Sequence, residues 1–257
     1  MLQTASPESP LPRRLRWWDL VLPVLSGGAV LAAITLGITL LALGNGGADF
    51  AKDIARRMSS ADQGYGLNMG TMAVIYLPPL FVMAWITRAK GLRYFTPVAR
   101  NTIYTAFGGG IAFVLGFQLV MSLLIYLGAF TFTSSPAELA VVPKSLTQLG
   151  LGLAVAAVLG PLVEEFYFRG FLLSYCRGKM PVIAATVLNG VLFGIVHFYF
   201  LQHQGLGGIV VTTAISLFGM LNVWWTLRTK SLWPAFASHA AYNGASLIAA
   251  YLLPGIV

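Results

Sequence analysis

Seven apolar stretches, lying near residues 18 to 44, 67 to 87, 103 to 132, 148 to 176, 182 to 203, 207 to 227 and 232 to 254, constrain this chain more than any other feature. Each is long enough to cross a hydrocarbon core of about 30 Å, which takes about 20 helical residues. Composition agrees: 57% of the 257 residues are hydrophobic and 9% charged, against about a quarter charged in a soluble domain. Mean hydropathy is +0.78. The expected fold is therefore all-α, a polytopic membrane bundle of about seven helices (six to eight) enclosing an intramembrane polar cavity. The third and fourth stretches are long enough to tilt, or to hide a short interfacial helix between them.

Net charge is +8, and the placement of the 16 Lys and Arg residues decides what that means. Eleven of them alternate onto one side: Arg13, Arg14 and Arg16; Arg88, Lys90, Arg93 and Arg100; Arg177 and Lys179; Arg228 and Lys230. The opposite connections hold only Lys52, Arg56, Arg57 and Lys144. Positive loops are retained on the cytoplasmic side, so the N-terminus is expected inside and the C-terminus outside. This is a membrane-orientation pattern, and no nucleic-acid partner is expected. The first stretch follows three arginines, but it exceeds the 7 to 15 apolar residues of a signal peptide, so it reads as a retained span.

Other residues receive plain readings. All six tryptophans fall near expected cytoplasmic ends, where an indole buries its ring and keeps its N–H wet. Cys176, the lone cysteine, excludes an intrachain disulfide and reads as filler near a helix end. His203, between Gln202 and Gln204, reads as interfacial, and Gln118 as a helix-to-helix hydrogen bond. Gly190-x-x-x-Gly194 fits either a dimer contact or close packing within the bundle. The polar segment 45 to 66 reads as lying on the membrane surface.

The ionisable residues inside the spans need explanation, because each costs about 2.5 to 3.5 kcal/mol at a helix centre. They are Glu164, Glu165, Arg169, His197 and His239. Glu165 and Arg169, four apart, share a helix face and can pair. Glu164 points about 100° away and has no local cation. An apolar surround disfavours the charged form of such a carboxylate, which suits it to take and return a proton. His239 and Asn243 are again four apart. At ~1.5 Å per residue from the cytoplasmic ends, Glu164 lies roughly 20 Å deep, His197 about 24 Å, Asn243 about 18 Å and His239 about 12 Å. One shared polar pocket is geometrically open to them.

Three motifs stand in order on successive spans: Glu164-Glu165-x-x-x-Arg169, Phe193-x-x-x-His197 and His239-x-x-x-Asn243. Together they resemble the CAAX protease and bacteriocin-processing family of intramembrane proteases over about residues 148 to 257. The resemblance implies seven or eight membrane helices around a conical cavity, and an endopeptidase acting near the C-terminus of membrane-associated peptides or proteins, lipidated in the eukaryotic case. It places Glu164 and His197 on the attacking water and His239 and Asn243 on the scissile carbonyl oxygen, with Glu165, Arg169 and Phe193 in support. It divides the chain into a cytoplasmic tail (1–16), spans one to three (17–147) and a catalytic core of spans four to seven (148–257), in a bacterial inner membrane.

No cofactor is expected to be required. Zinc is the alternative, held by Glu164, His197 and His239, since two His and one Glu satisfy a catalytic site, although no HExxH helix is present. Two rival readings use the same residues. A proton-coupled transporter also employs intramembrane Glu, His and Arg, but the halves show no repeat. A non-proteolytic immunity or assembly factor would keep the fold without the chemistry.

Overall fold

The computed structural model describes residues 15–45, 47–58, 60, 64–129, 142–197 and 205–253. Eight helices run through them in the order α1 (Trp17–Gly44), α2 (Ala48–Met58), α3 (Gly64–Lys90), α4 (Arg100–Tyr126), α5 (Leu146–Arg177), α6 (Val182–Ile195), α7 (Gly205–Thr229) and α8 (Trp233–Leu252). Five of them, α1, α3, α4, α5 and α7, are long and apolar enough to cross a membrane; α6 is a shorter apolar helix. With 20 residues, α8 has the length of a crossing as well. Each expected stretch thus contains one helix, and the chain is an integral, multi-pass membrane protein.

Helix ends differ from expectation where the backbone turns early. α4 stops at Tyr126, and Gly128 takes the chain away at φ 72°. α6 stops at Ile195 and is followed by a turn at Val196 and His197. The expected outer end around His203, and Arg13 and Arg14 of the tail, lie outside the described residues. In the polar segment, α2 is amphipathic: Phe50, Ile54 and Met58 are half-buried, while Lys52, Arg56 and Arg57 are exposed. It packs on both α1 and α3.

In lipid, helices gain little from hiding apolar surface from one another, so close approach at small residues carries the packing. The tightest pairs are α4 with α8, α6 with α7, and α1 with α3. A Cβ added at Gly194 of α6 would lie 2.7 Å from the Thr212 carbonyl of α7, and one at Gly27 of α1 would lie 3.2 Å from Pro79 Cγ of α3. Gly190 likewise faces Ser216 and Met220. The Gly190-x-x-x-Gly194 pattern is therefore occupied inside the bundle.

One end of the bundle is tied together by polar contacts. Asp19, in the first turn of α1, is 3% exposed and meets Lys90 Nζ, at the end of α3, at 2.8 Å. The connection after α3 bonds to the one after α7: Ser231 Oγ donates to the Thr96 carbonyl at 2.7 Å, and the Leu232 N–H to the Tyr94 carbonyl at 2.9 Å. Connections that the positive residues assign to one side do share an end. Trp225 corrects the aromatic reading. It is 8% exposed, packed with Ala106 and Ala235, and its indole N–H has no hydrogen-bond partner among the described residues. It lies on the inner face of α7, while Trp224 beside it is exposed.

Candidate active site

α5 carries the acidic pair and is not a uniform α-helix. Two π-helical segments, Leu153–Leu159 and Phe166–Leu172, flank a short α-helical stretch from Gly160 to Glu165. A π turn splays carbonyls outward and is frequent at functional sites. The Gly160 N–H bonds to the Val155 carbonyl, five residues back. In that register the next donor, to Ala156, would be residue 161, which is proline and has no N–H. Asn243 Nδ2 of α8 fills the place, donating to the Ala156 carbonyl at 2.8 Å. In the second π segment the Phe168 carbonyl keeps its backbone donor, the Leu173 N–H, and also accepts from Asn189 Nδ2 of α6 at 2.7 Å. Side chains of α8 and α6 thus hold the backbone that presents Glu164 and Glu165.

Glu165 is fully buried and sits at the centre of a polar knot. Its Oε2 lies 3.2 Å from Arg169 Nε, with both side chains 0% exposed. Its Oε1 accepts from Asn222 Nδ2 of α7 at 3.1 Å and from His239 Nδ1 at 2.9 Å. Arg169 donates onward to the Gly219 carbonyl at 2.9 Å, and its guanidinium lies 4.2 Å from the centre of the Phe193 ring. The expected Glu165–Arg169 pair is present, and Phe193 supports it by stacking. Phe193 and Phe218 also meet the His239 ring edge-on, at 5.5 Å and 5.7 Å.

Because Glu165 takes the proton-bearing Nδ1 of His239, the other ring nitrogen is turned toward Glu164, with Nε2 3.8 Å from Glu164 Oε2. Glu164 is not without a partner, however. Its Oε1 accepts a hydrogen bond from the Tyr76 hydroxyl of α3 at 2.6 Å. His197 bonds through Nδ1 to the Phe193 carbonyl at 2.8 Å. A carbonyl only accepts, so Nδ1 carries the hydrogen and the neutral ring keeps its lone pair on Nε2.

Glu164, His197 and Tyr76 line one cavity of about 450 Å³. Apart from Tyr167 of α5, its remaining walls are apolar, from Val24 and Leu31 of α1, Ile75 and Met83 of α3, and Phe168 of α5. His239 and Asn243 are not among its lining residues. The structure therefore brings Glu164 and His197 to one cavity, sets His239 behind Glu164, and turns the Asn243 amide to the backbone of α5. Among the described residues, no three of His, Cys, Asp and Glu converge where a metal ion could sit. The set Glu164, His197 and His239 does not fit zinc in this arrangement.

Residues 147–245 match the family described as Type II CAAX prenyl endopeptidase Rce1-like. This part of the chain is Rce1-like. No curated protein and no solved structure matches the chain. The Rce1-like region runs from α5 into α8 and contains Glu164, Glu165, Arg169, Asn189, His197, Asn222, His239 and Asn243. Tyr76 lies outside it. Sequence reasoning missed Tyr76, Asn189 and Asn222, because each reaches its partner from another helix. The one available signal was their polarity within otherwise apolar stretches.

Proposed function

We propose that the chain is an intramembrane endopeptidase that hydrolyses a peptide bond near the C-terminus of a membrane-associated protein or peptide. The observation that carries this reading is a carboxylate and an imidazole, Glu164 and His197, lining one mostly apolar cavity, within a region that matches the Rce1-like family. Apolar walls suit a substrate delivered from lipid. A carboxylate facing the same space suits a water that must lose a proton there.

In this mechanism Glu164 takes a proton from a water that His197 Nε2 also holds. The water oxygen attacks the scissile carbonyl carbon, and the carbonyl π electrons move to its oxygen. The oxyanion is stabilised by His239 and by the Asn243 amide, whose second hydrogen is not spent on Ala156. Collapse of the tetrahedral intermediate breaks the C–N bond, and Glu164 returns its proton to the leaving nitrogen. Glu165 supports His239 through Nδ1, and Arg169 balances the charge of Glu165. The N-terminus is assigned to the cytoplasm by the distribution of Lys and Arg.

The test compares the C-termini of membrane proteins and peptides, by mass spectrometry, in cells carrying the parental chain and cells carrying Glu164→Gln. Shortened tails are expected only with the parental chain. Purified Glu164→Gln is expected to cleave about 10²- to 10⁴-fold more slowly, the range of a positioned proton-transfer group. Identical sets of C-termini, or cleavage by the variant at the parental rate, overturn the reading.

A further inference from the structure

Among the described residues, Tyr76 is the one hydrogen-bond donor that the first four helices send to the acidic pair. It comes from outside the Rce1-like region, yet its hydroxyl makes the shortest contact that either carboxylate has, 2.6 Å to Glu164 Oε1. A bond of that length to a carboxylate is of the strong, charge-assisted kind. The local packing is arranged to permit it. Pro79, three residues on, lies against Gly27 of α1, and a Cβ at Gly160 of α5 would sit 3.4 Å from Tyr76 Cε2. The Tyr76 ring thus packs directly on the backbone of α5 at Gly160.

A carboxylate is planar, so fixing one oxygen fixes the other. With Oε1 held on α3, Oε2 lies 3.8 Å from His239 Nε2, beyond hydrogen-bond reach. A carboxylate free to rotate beside an imidazole would close that gap and form a direct pair. The separation is wide enough for one water or carbonyl oxygen to reach both groups, and a closed pair would exclude it. The groups around Glu164 are Tyr76 from α3, His239 from α8, Glu165 and Arg169 from its own helix, and Tyr167 and His197 on the same cavity. α1 offers only Pro23, Val24, Gly27, Gly28 and Leu31. Of these groups, Tyr76 alone donates a hydrogen bond to Glu164 at normal length.

We infer that Tyr76 is a positioning residue that holds Glu164 apart from His239, so that the N-terminal helices complete a site whose other members lie in the Rce1-like region. The inference rests on the endopeptidase reading for its kinetic consequence, but not for its structural one. Tyr76→Phe keeps the ring and removes only the hydroxyl. In detergent-solubilised protein with ¹⁵N-labelled histidine, the His239 Nε2 signal of Tyr76→Phe is expected to move toward that of a paired imidazolium. Adding Glu164→Gln is expected to return it. The chain has three histidines, so single His→Gln variants assign the signals. Tyr104→Phe, on the exposed face of α4, is expected to change nothing.

With a quenched-fluorescent prenylated CAAX peptide, Tyr76→Phe is expected to lower kcat about 10- to 100-fold while KM stays within about twofold, as for an interaction made only in the transition state. An unmoved His239 signal overturns the inference whatever the activity. So does an unchanged kcat in a background where Glu164→Gln is inactive. If Glu164→Gln cleaves at the parental rate, the endopeptidase reading fails instead, and the histidine signal still decides the role of Tyr76.

Discussion

Asp53 with Arg57, and Glu165 with Arg169, are the same pair in sequence: an acid followed four residues later by an arginine, on one face of a helix. On α2 the Arg57 Nε bonds Asp53 at 2.8 Å, with side chains 54% and 31% exposed. On α5 the corresponding distance is 3.2 Å, with both side chains 0% exposed. The wetter pair is the shorter. Burial changes what depends on the contact rather than its length. On α2, water solvates each charge when the contact opens, so the pair contributes little. On α5 no water replaces a lost partner, and the charges are shared with Asn222, His239, the Gly219 carbonyl and the Phe193 ring. The buried pair therefore works as a scaffold for the imidazole behind Glu164.

The largest expected effect tests that difference directly. Arg169→Ala strips the guanidinium from Glu165 and leaves a buried carboxylate without it, a loss of about 3 to 5 kcal/mol. The thermal midpoint in detergent and the yield of inserted protein are expected to fall sharply. Arg57→Ala, at the same spacing on α2, is expected to stay within about 0.5 kcal/mol of the parent. Equal losses in the two variants would break the comparison.

How much of this could be read from the chain follows the same division between local and distant. The helices were legible because some 20 apolar residues in lipid have few alternatives, and Glu165–Arg169 was legible because both members lie on one helix. Tyr76 and Asn222 were not, since each meets the acidic pair from a different helix, 88 and 57 residues away in the chain. Asp19 escaped because it sits at the edge of an apolar stretch, where only its contact with Lys90 reveals that it is buried. The π segments had one local mark, Pro161, whose missing N–H becomes meaningful only with Asn243 opposite Ala156. His239 was placed with Asn243 by spacing. The structure gives the two different neighbours, a carboxylate for one and a backbone carbonyl for the other.

A middle-sized effect separates backbone support from charge. Asn243→Ala leaves the Ala156 carbonyl without its side-chain donor in a dry helix, at about 1 to 3 kcal/mol. Pro161→Ala restores a backbone N–H beside it. In a double-mutant cycle followed by thermal denaturation, the cost of Asn243→Ala is expected to be smaller in the Pro161→Ala background. Strict additivity of the two would show that Asn243 does not stand in for the missing proline hydrogen.

The smallest expected effect returns to α2. Hydrogen bonds from Arg57 and then Arg56 hold the Asp53 carboxyl below its ordinary value of 3.8. A carboxyl held low in the folded state contributes stability above its ordinary value, and that contribution is lost as pH falls through the lowered one. Acidification below about pH 4 is therefore expected to loosen α2, read as faster backbone hydrogen exchange over 48–58. Asp53→Asn is expected to give the same exchange at neutral pH, and salt to narrow the gap between variant and parent, because the pair is in water. The Glu165–Arg169 pair, shielded from solvent ions, is expected to show no such dependence on salt. If added salt weakened α5 as much as α2, the two pairs would share one environment and burial would not be what separates them.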